Sequence, residues 1–201
     1  MPAARKRDLT VPDLVLLSLL AEQPMHGYQA NLELERRQVQ DWAGISRPQV
    51  YYSLEKLARL GLVHEAGDRA AALGPERRIF STTAKGRAAL ATALEREDWT
   101  NQRDRPPFLT WMALSWQARL GAFQKQLKRR EEFLQAELAR EGATLRAVEK
   151  EVGHGFHEAV WMIKLVIEQF RVELGWLRQV TGELEQRAPA ARPATVSKHS
   201  L

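Results

Sequence analysis

Residues 46–63 read SRPQVYYSLEKLARLGLV, and their spacing decides the fold. Ser46 can cap a helix, Pro48 suits its first turn, and Gln49 stands where a capping box needs a glutamine. Val50, Leu54, Leu57 and, at the edge, Leu60 fall on one face at helical spacing, and Gly61 stops the helix. Pro48, Tyr52, Glu55, Lys56 and Arg59 point the other way, with Tyr51 at the flank. A short helix that carries two adjacent tyrosines and an early arginine, Arg47, away from its core face needs a partner for that side.

Upstream, residues 12–22 carry Leu14, Val15, Leu17, Leu19 and Leu20, an almost all-round apolar helix that must be buried on more than one side. Arg5, Lys6 and Arg7 before this run give it a superficial likeness to a secretion signal. Asp13 interrupts the run, however, no A-x-A-like site follows, and Thr10-Val11-Pro12-Asp13 reads as a capped helix start. Pro24 ends this helix, and Gly27 opens a second that is expected to run to about Gln40. The link QPMHG is short, so the two helices must cross closely.

Downstream, residues 62–66 and 77–81 read as two short strands joined by GDRAAALGPE, a two-stranded wing. Thr83 is the expected cap of a following helix, AKGRAALATALERE. Composition shifts at TNQRDRPPF, residues 100–108. The expected division is residues 1–98, a linker at 99–105, a helical region at 106–186 and a disordered tail at 187–201.

The helical region holds two periodic signals. Trp116, Leu120, Phe123, Leu127, Leu134, Leu138, Leu145, Val148 and Val152 form one long stripe, expected to break only near Gly142. In the last helix Phe156, Ile163, Phe170, Leu177 and Leu184 recur every seventh residue, with Val160, Ile167 and Leu174 between them. This row is the expected dimerisation seam. A second apolar row, Met162, Leu165, Val166, Val172, Trp176 and Val180, lies beside it. A helix apolar on two sides needs two covers: the preceding helix folded back as a hairpin, and a second copy of the chain.

Composition narrows the function classes. The chain has 201 residues, 44% hydrophobic and 27% charged, as in a soluble folded protein, and no stretch approaches the length of a membrane span. The absence of cysteine excludes disulfides and thiolate chemistry and fits a cytoplasmic location. Net charge is +5, with 13 Lys and Arg against 11 Asp and Glu up to Glu95, and 17 against 14 beyond it. Neither part is a polycation, so binding to nucleic acid must come from local placement of basic side chains.

Three helices, two strands with a wing, then a helix, is the order of a winged helix-turn-helix, so the fold class is mostly α, with this domain followed by a helical hairpin. A major groove about 12 Å wide admits one helix, and residues near its start meet base edges or phosphates. Tyr51 and Tyr52 supply hydroxyls and ring edges, and Arg47 and Lys56 supply charge. Gln49 is either a base contact or a capping partner. Glu55 opposes the cations and is expected to be compensated by Arg59. Arg69, Arg77 and Arg78, in or beside the wing, could reach phosphates or remain solvated. His26 and Tyr28 start the second helix, whose N-terminal amides can meet a phosphate, although a locally bonded turn histidine is the plainer reading.

PMHGYQANLELE, QVYYSLEKLARLGLV and RRIFSTTAKGRAAL together resemble the three signatures of the PadR family of bacterial transcriptional regulators. Tyr51 falls on that family's recognition-helix tyrosine, Gly27 and Tyr28 on its G-Y, and Thr83, Gly86 and Arg87 on its T-x-x-G-R. Tyr52 stands where the family commonly has proline, and Thr82 where it has leucine. The resemblance implies a homodimer held by C-terminal helices, a palindromic double-stranded DNA operator, and repression relieved by a small molecule. Trp99, Trp111, Trp116, Trp161 and Trp176 could line a cleft for an aromatic effector or simply pack a core.

The rival reading is a dimeric winged-helix module that binds protein and not DNA. No catalytic motif is present, and HGFHE at 154–158 lacks the third distant ligand that a metal site needs. The chain is therefore read as a non-enzyme without metal or cofactor.

Overall fold

The computed structural model describes residues 9–66, 78–119 and 121–186, and the chain divides into two compact units, residues 1–103 and 104–201. The wing tip, with Arg69 and Arg77, lies outside the described residues, as do the basic N-terminal residues and the C-terminal tail.

The first unit runs α1 (Val11–Glu22), β1 (Met25–His26), α2 (Gly27–Arg36), α3 (Val39–Ala43), α4 (Arg47–Arg59), β2 (Val63–Ala66), β3 (Ile79–Thr82) and α5 (Ala84–Leu94). Its core is one cluster to which α1 gives Leu16, Leu17 and Leu20, α4 gives Val50, Leu54 and Leu57, and the sheet gives Val63 and Phe80. At the start of α1 the Thr10 backbone N–H and hydroxyl both donate to the Asp13 carboxylate, each at 2.8 Å.

Two features depart from the sequence expectation. The sheet has three strands in the order β1-β3-β2, because Met25 and His26 pair antiparallel with Phe80 and Ile79. The expected second helix is also split: Gln38 takes a left-handed conformation (φ 51°) between α2 and α3. In an unbroken helix Gln38, one turn after buried Leu34, would fall on the core stripe and Val39 would leave it. The break puts Val39 in the core instead, with 1% of its surface exposed.

The T-x-x-G-R segment is a structural clasp. The Leu62 carbonyl accepts from the Thr83 N–H (3.0 Å) and hydroxyl (3.1 Å), and the Thr83 hydroxyl oxygen accepts from the Gly86 N–H at 3.0 Å as the cap of α5. A Cβ at Gly86 would stand 2.0 Å from the Leu62 carbonyl oxygen, so only glycine allows this approach. The Thr82 hydroxyl donates to the Leu17 carbonyl at 2.7 Å, and Arg87 donates to that of Ala21 at 3.2 Å, which ties the sheet and α5 to α1.

The second unit holds α6 (Pro107–Leu114), α7 (Ala122–Val152) and α8 (Glu158–Gln186). α7 begins later than its expected stripe, since Trp116 sits exposed in a 3-10 turn, and it continues through Gly142 without a break. α7 and α8 form an antiparallel hairpin around Leu127, Leu134, Leu174 and Leu177, flanked by Arg130–Glu173 and Lys164–Glu149 ion pairs at 2.7 and 3.0 Å.

The row expected as a dimer seam lies mostly inside the hairpin. Val160, Ile163, Ile167, Leu174 and Leu177 are already buried in the single chain, and Phe170 and Leu184 pack against the hairpin core. Phe156, the first member of the row, is instead 81% exposed. The row open to a partner is the opposite one: Trp161, Leu165, Val172 and Trp176 are all exposed. Seven-residue spacing identifies a buried seam but carries no information on whether the facing helix belongs to the same chain.

Candidate nucleic-acid interface

α4 begins as its sequence dictates. The Gln49 side-chain oxygen accepts from both the Ser46 N–H and the Ser46 hydroxyl at 2.8 Å, which fixes the first turn and engages Gln49 as a capping partner. Val50, Ser53, Leu54 and Leu57 are buried, and Arg47, Pro48, Tyr51, Tyr52, Glu55 and Arg59 form the outer side.

The two tyrosines differ in role. Tyr52 is 65% exposed and Tyr51 42%. The Tyr51 ring lies on the start of α2, so that a Cβ at Gly27 would come within 2.9 Å of its Cε1. Tyr51 is thus steadied by backbone, while Tyr52 projects freely beside it. Tyr28, at the start of α2, is also exposed.

Lys56 is placed differently from the others. Expected on the DNA side, it turns inward and donates to Asp13 Oδ2 at 2.5 Å, with 14% of its side chain exposed against none for Asp13. A fully covered carboxylate needs a cation, and the flexible lysine stem reaches back to supply it. Burial pushes the Asp13 carboxyl up, but Lys56, Thr10 and Ser53 together hold it below its ordinary value.

Arg47 is exposed at the first residue of α4, where its Nε and Nη2 both donate to Glu35 Oε1 of α2, at 2.9 and 2.5 Å. The neighbouring arginines at and just past the end of α2 are paired too: Arg36 with Glu33 at 2.8 Å, and Arg37 with Glu22 and Glu33, each at 2.6 Å. Arg36 beside Glu33 holds that carboxyl down to about 2. In the wing, Arg78 lies 3.6 Å from Glu65 and over the Phe80 ring. His26 sits in β1, half-buried, with its backbone N–H donating to the Gln29 side-chain oxygen at 3.0 Å. The geometry therefore gathers Arg47, Tyr28, Tyr51 and Tyr52 near one helix start and removes Lys56 from it.

His154 and His157 also find a local explanation. Each Nδ1 accepts a nearby backbone N–H, from Phe156 at 3.2 Å and Ala159 at 3.1 Å, where α8 begins. Among the described residues no group of three or more metal-ligating side chains is assembled, and no helix is long and apolar enough to cross a membrane.

Residues 16–92, from the second turn of α1 through α5, match the family described as the Transcriptional regulator PadR-like family. No curated protein matches the chain in sequence. Among solved structures it is similar to Bacillus subtilis PadR in complex with operator DNA (TM-score 0.70, 15% identity, covering 86% of this chain and 98% of that one). It is also similar to a PadR-like transcriptional regulator from Bacillus cereus (TM-score 0.64, 18% identity, 88% and 99% covered). A third match is Bacillus subtilis PadR in complex with p-coumaric acid (TM-score 0.67, 20% identity, 87% and 99% covered). These structural similarities establish a shared fold.

Sequence reasoning missed Glu35 as the partner of Arg47 and Asp13 as the partner of Lys56. The second was open to detection: a lone acid inside an otherwise apolar, all-round buried helix requires a cation. The first was not, because the two residues lie on different helices whose crossing no local pattern specifies.

Proposed function

We propose that this PadR-like chain is a sequence-specific, homodimeric DNA-binding repressor that works in the cytoplasm and is relieved by an aromatic small molecule. One observation carries the reading: Arg47, Tyr51 and Tyr52 stand exposed at the start of a firmly capped α4, where a recognition helix meets a groove. Tyr28 and Arg78 are flanking contacts to the backbone. Lys56 is left out of this role.

Dimerisation is proposed through the exposed Trp161, Leu165, Val172 and Trp176 side of α8, with a second copy as the cover. Two copies would then offer α4 to successive major grooves about 34 Å apart, which favours a palindrome. The effector proposal draws support from stacked aromatics in the second unit. The Phe108 and Trp111 rings lie 5.4 Å apart and those of Trp111 and Phe123 5.5 Å, beside Arg130. It also draws support from the p-coumaric acid complex of the Bacillus subtilis relative.

Selection of bound duplexes from a random pool tests the reading, with recovery of a palindrome as the expected result and no enrichment as the result that refutes it. The paired state of the arginines favours a second reading, a dimeric winged-helix module that docks a protein. Under that reading the pool yields no preferred duplex while the chain still sediments as a dimer.

A further inference from the structure

We propose that Glu35 competes with the DNA backbone for Arg47, and so sets how much of that arginine's charge is available to a phosphate. This rests on the DNA-binding reading above.

The geometry of the pair carries the argument. Arg47 places two N–H groups on a single oxygen of Glu35, at 2.9 and 2.5 Å, and does not use the two-oxygen fork that makes arginine–carboxylate pairs strong. Both side chains are open to water, with 69% and 43% of their surfaces exposed. Such a pair is readily exchanged. A phosphate oxygen offers the same charge and the same acceptor geometry, so it can take the place of Glu35 without rearrangement of the helix. Lys56 and Asp13 are the opposite case within the same domain: 14% and 0% exposed, their pair is locked and offers nothing to a ligand.

Position supports the assignment. Arg47 is the first residue of α4, next to Tyr51 and Tyr52, whereas Glu35 belongs to α2 and is brought to it only by the fold. Arg36, at the end of α2, and Arg37 just beyond it are engaged by Glu33 and Glu22, while Glu35 accepts both bonds from Arg47 of α4. Tyr28 and Tyr51 also lie within electrostatic reach of Arg47. Glu35 thus holds the arginine at the mouth of the interface in the free protein, and gives it up when a phosphate arrives.

The test is a double-mutant cycle on affinity for a fluorescein-labelled duplex recovered by selection from a random pool, measured by anisotropy at fixed salt. Glu35→Gln is expected to tighten binding by about two- to five-fold, in proportion to the worth of an exposed ion pair. Arg47→Ala weakens binding, and adding Glu35→Gln to it changes affinity by less than about 1.5-fold, because the released group is gone. Glu35→Ala repeats the first arm with a different replacement. Equal tightening with and without Arg47 overturns the proposal, since Glu35 would then act by repelling DNA directly. Unchanged or weaker binding by Glu35→Gln and Glu35→Ala overturns it as well. Failure of the unmodified chain to bind any duplex is a separate outcome, visible before any variant is made, and refutes the DNA-binding reading itself.

Discussion

Lys56 of α4 and Asp13 of α1 form a buried ion pair, with the ammonium 2.5 Å from a carboxylate that has no exposed surface. The pair ties the helix that presents Arg47 and Tyr52 to the helix that contributes most to the core. Removing only one partner strands the other charge, whereas removing both does not. Lys56→Met is expected to destabilise the domain by about 3 kcal/mol, and Asp13→Leu combined with Lys56→Met to recover most of that loss, as read from urea unfolding.

The same pair gives stability a definite pH dependence. The Asp13 carboxyl titrates below its ordinary value of 3.8 because Lys56, Thr10 and Ser53 outweigh the opposing effect of burial. As pH falls, the unfolded chain takes up this proton first. The stabilisation is therefore complete above the ordinary value and is lost as pH drops through the lower, folded one. Glu33, held down to about 2 by Arg36 and Arg37, adds a contribution of the same sign. Circular dichroism from about pH 5 to about pH 2 should show stability declining, with a shallower decline for Asp13→Asn.

Two tyrosines that look equivalent in the sequence should separate on mutation. Tyr52→Ala removes an exposed ring and is expected to weaken DNA binding with a melting temperature essentially unchanged. Tyr51→Ala also removes packing on Gly27 and should lower both. Thermal melts and anisotropy on the same samples distinguish the two.

The two apolar sides of α8 predict opposite phenotypes. Trp161→Glu with Leu165→Glu alters only exposed positions and should yield a folded chain that sediments as a monomer. Ile167→Glu places a charge where 5% of the surface is exposed and should unfold the hairpin. A monomer from the second substitution, with helicity intact, would contradict this assignment.

Gly86→Ala tests the clasp. With a Cβ only 2.0 Å from a backbone oxygen, the structure must shift, and a loss of about 2 kcal/mol or more is expected, seen as a melting temperature lower by roughly 10 °C.

Much of this was legible locally. The cap of α4 needs only Ser46 and Gln49, three residues apart, and the cap of α5 only Thr83 and Gly86, so both read directly from the chain. Hydrophobic periodicity also located α8 and its buried row. What local pattern could not supply was the identity of each neighbour. The row from Val160 to Leu177 is equally apolar whether its cover is α7 or another molecule, and only the fold shows that the single chain already buries it. Met25 and His26 are too few to announce a strand, and pair with β3 only because the fold brings them there. Arg47 looks free in sequence because Glu35 lies twelve residues away on another helix.

The clasp at Leu62 has one more consequence. Because Thr83 fastens β3 and α5 to the residue just before β2, the two strands are joined at their root by bonds that involve nothing in the segment linking them. The described ends of the two strands are therefore held together at that root independently of what joins their far ends. Under the proposed DNA-binding reading, grafting loops of different length or charge between β2 and β3 should retune preference among target duplexes while the clasped scaffold stays intact, which makes this position a natural module for engineering.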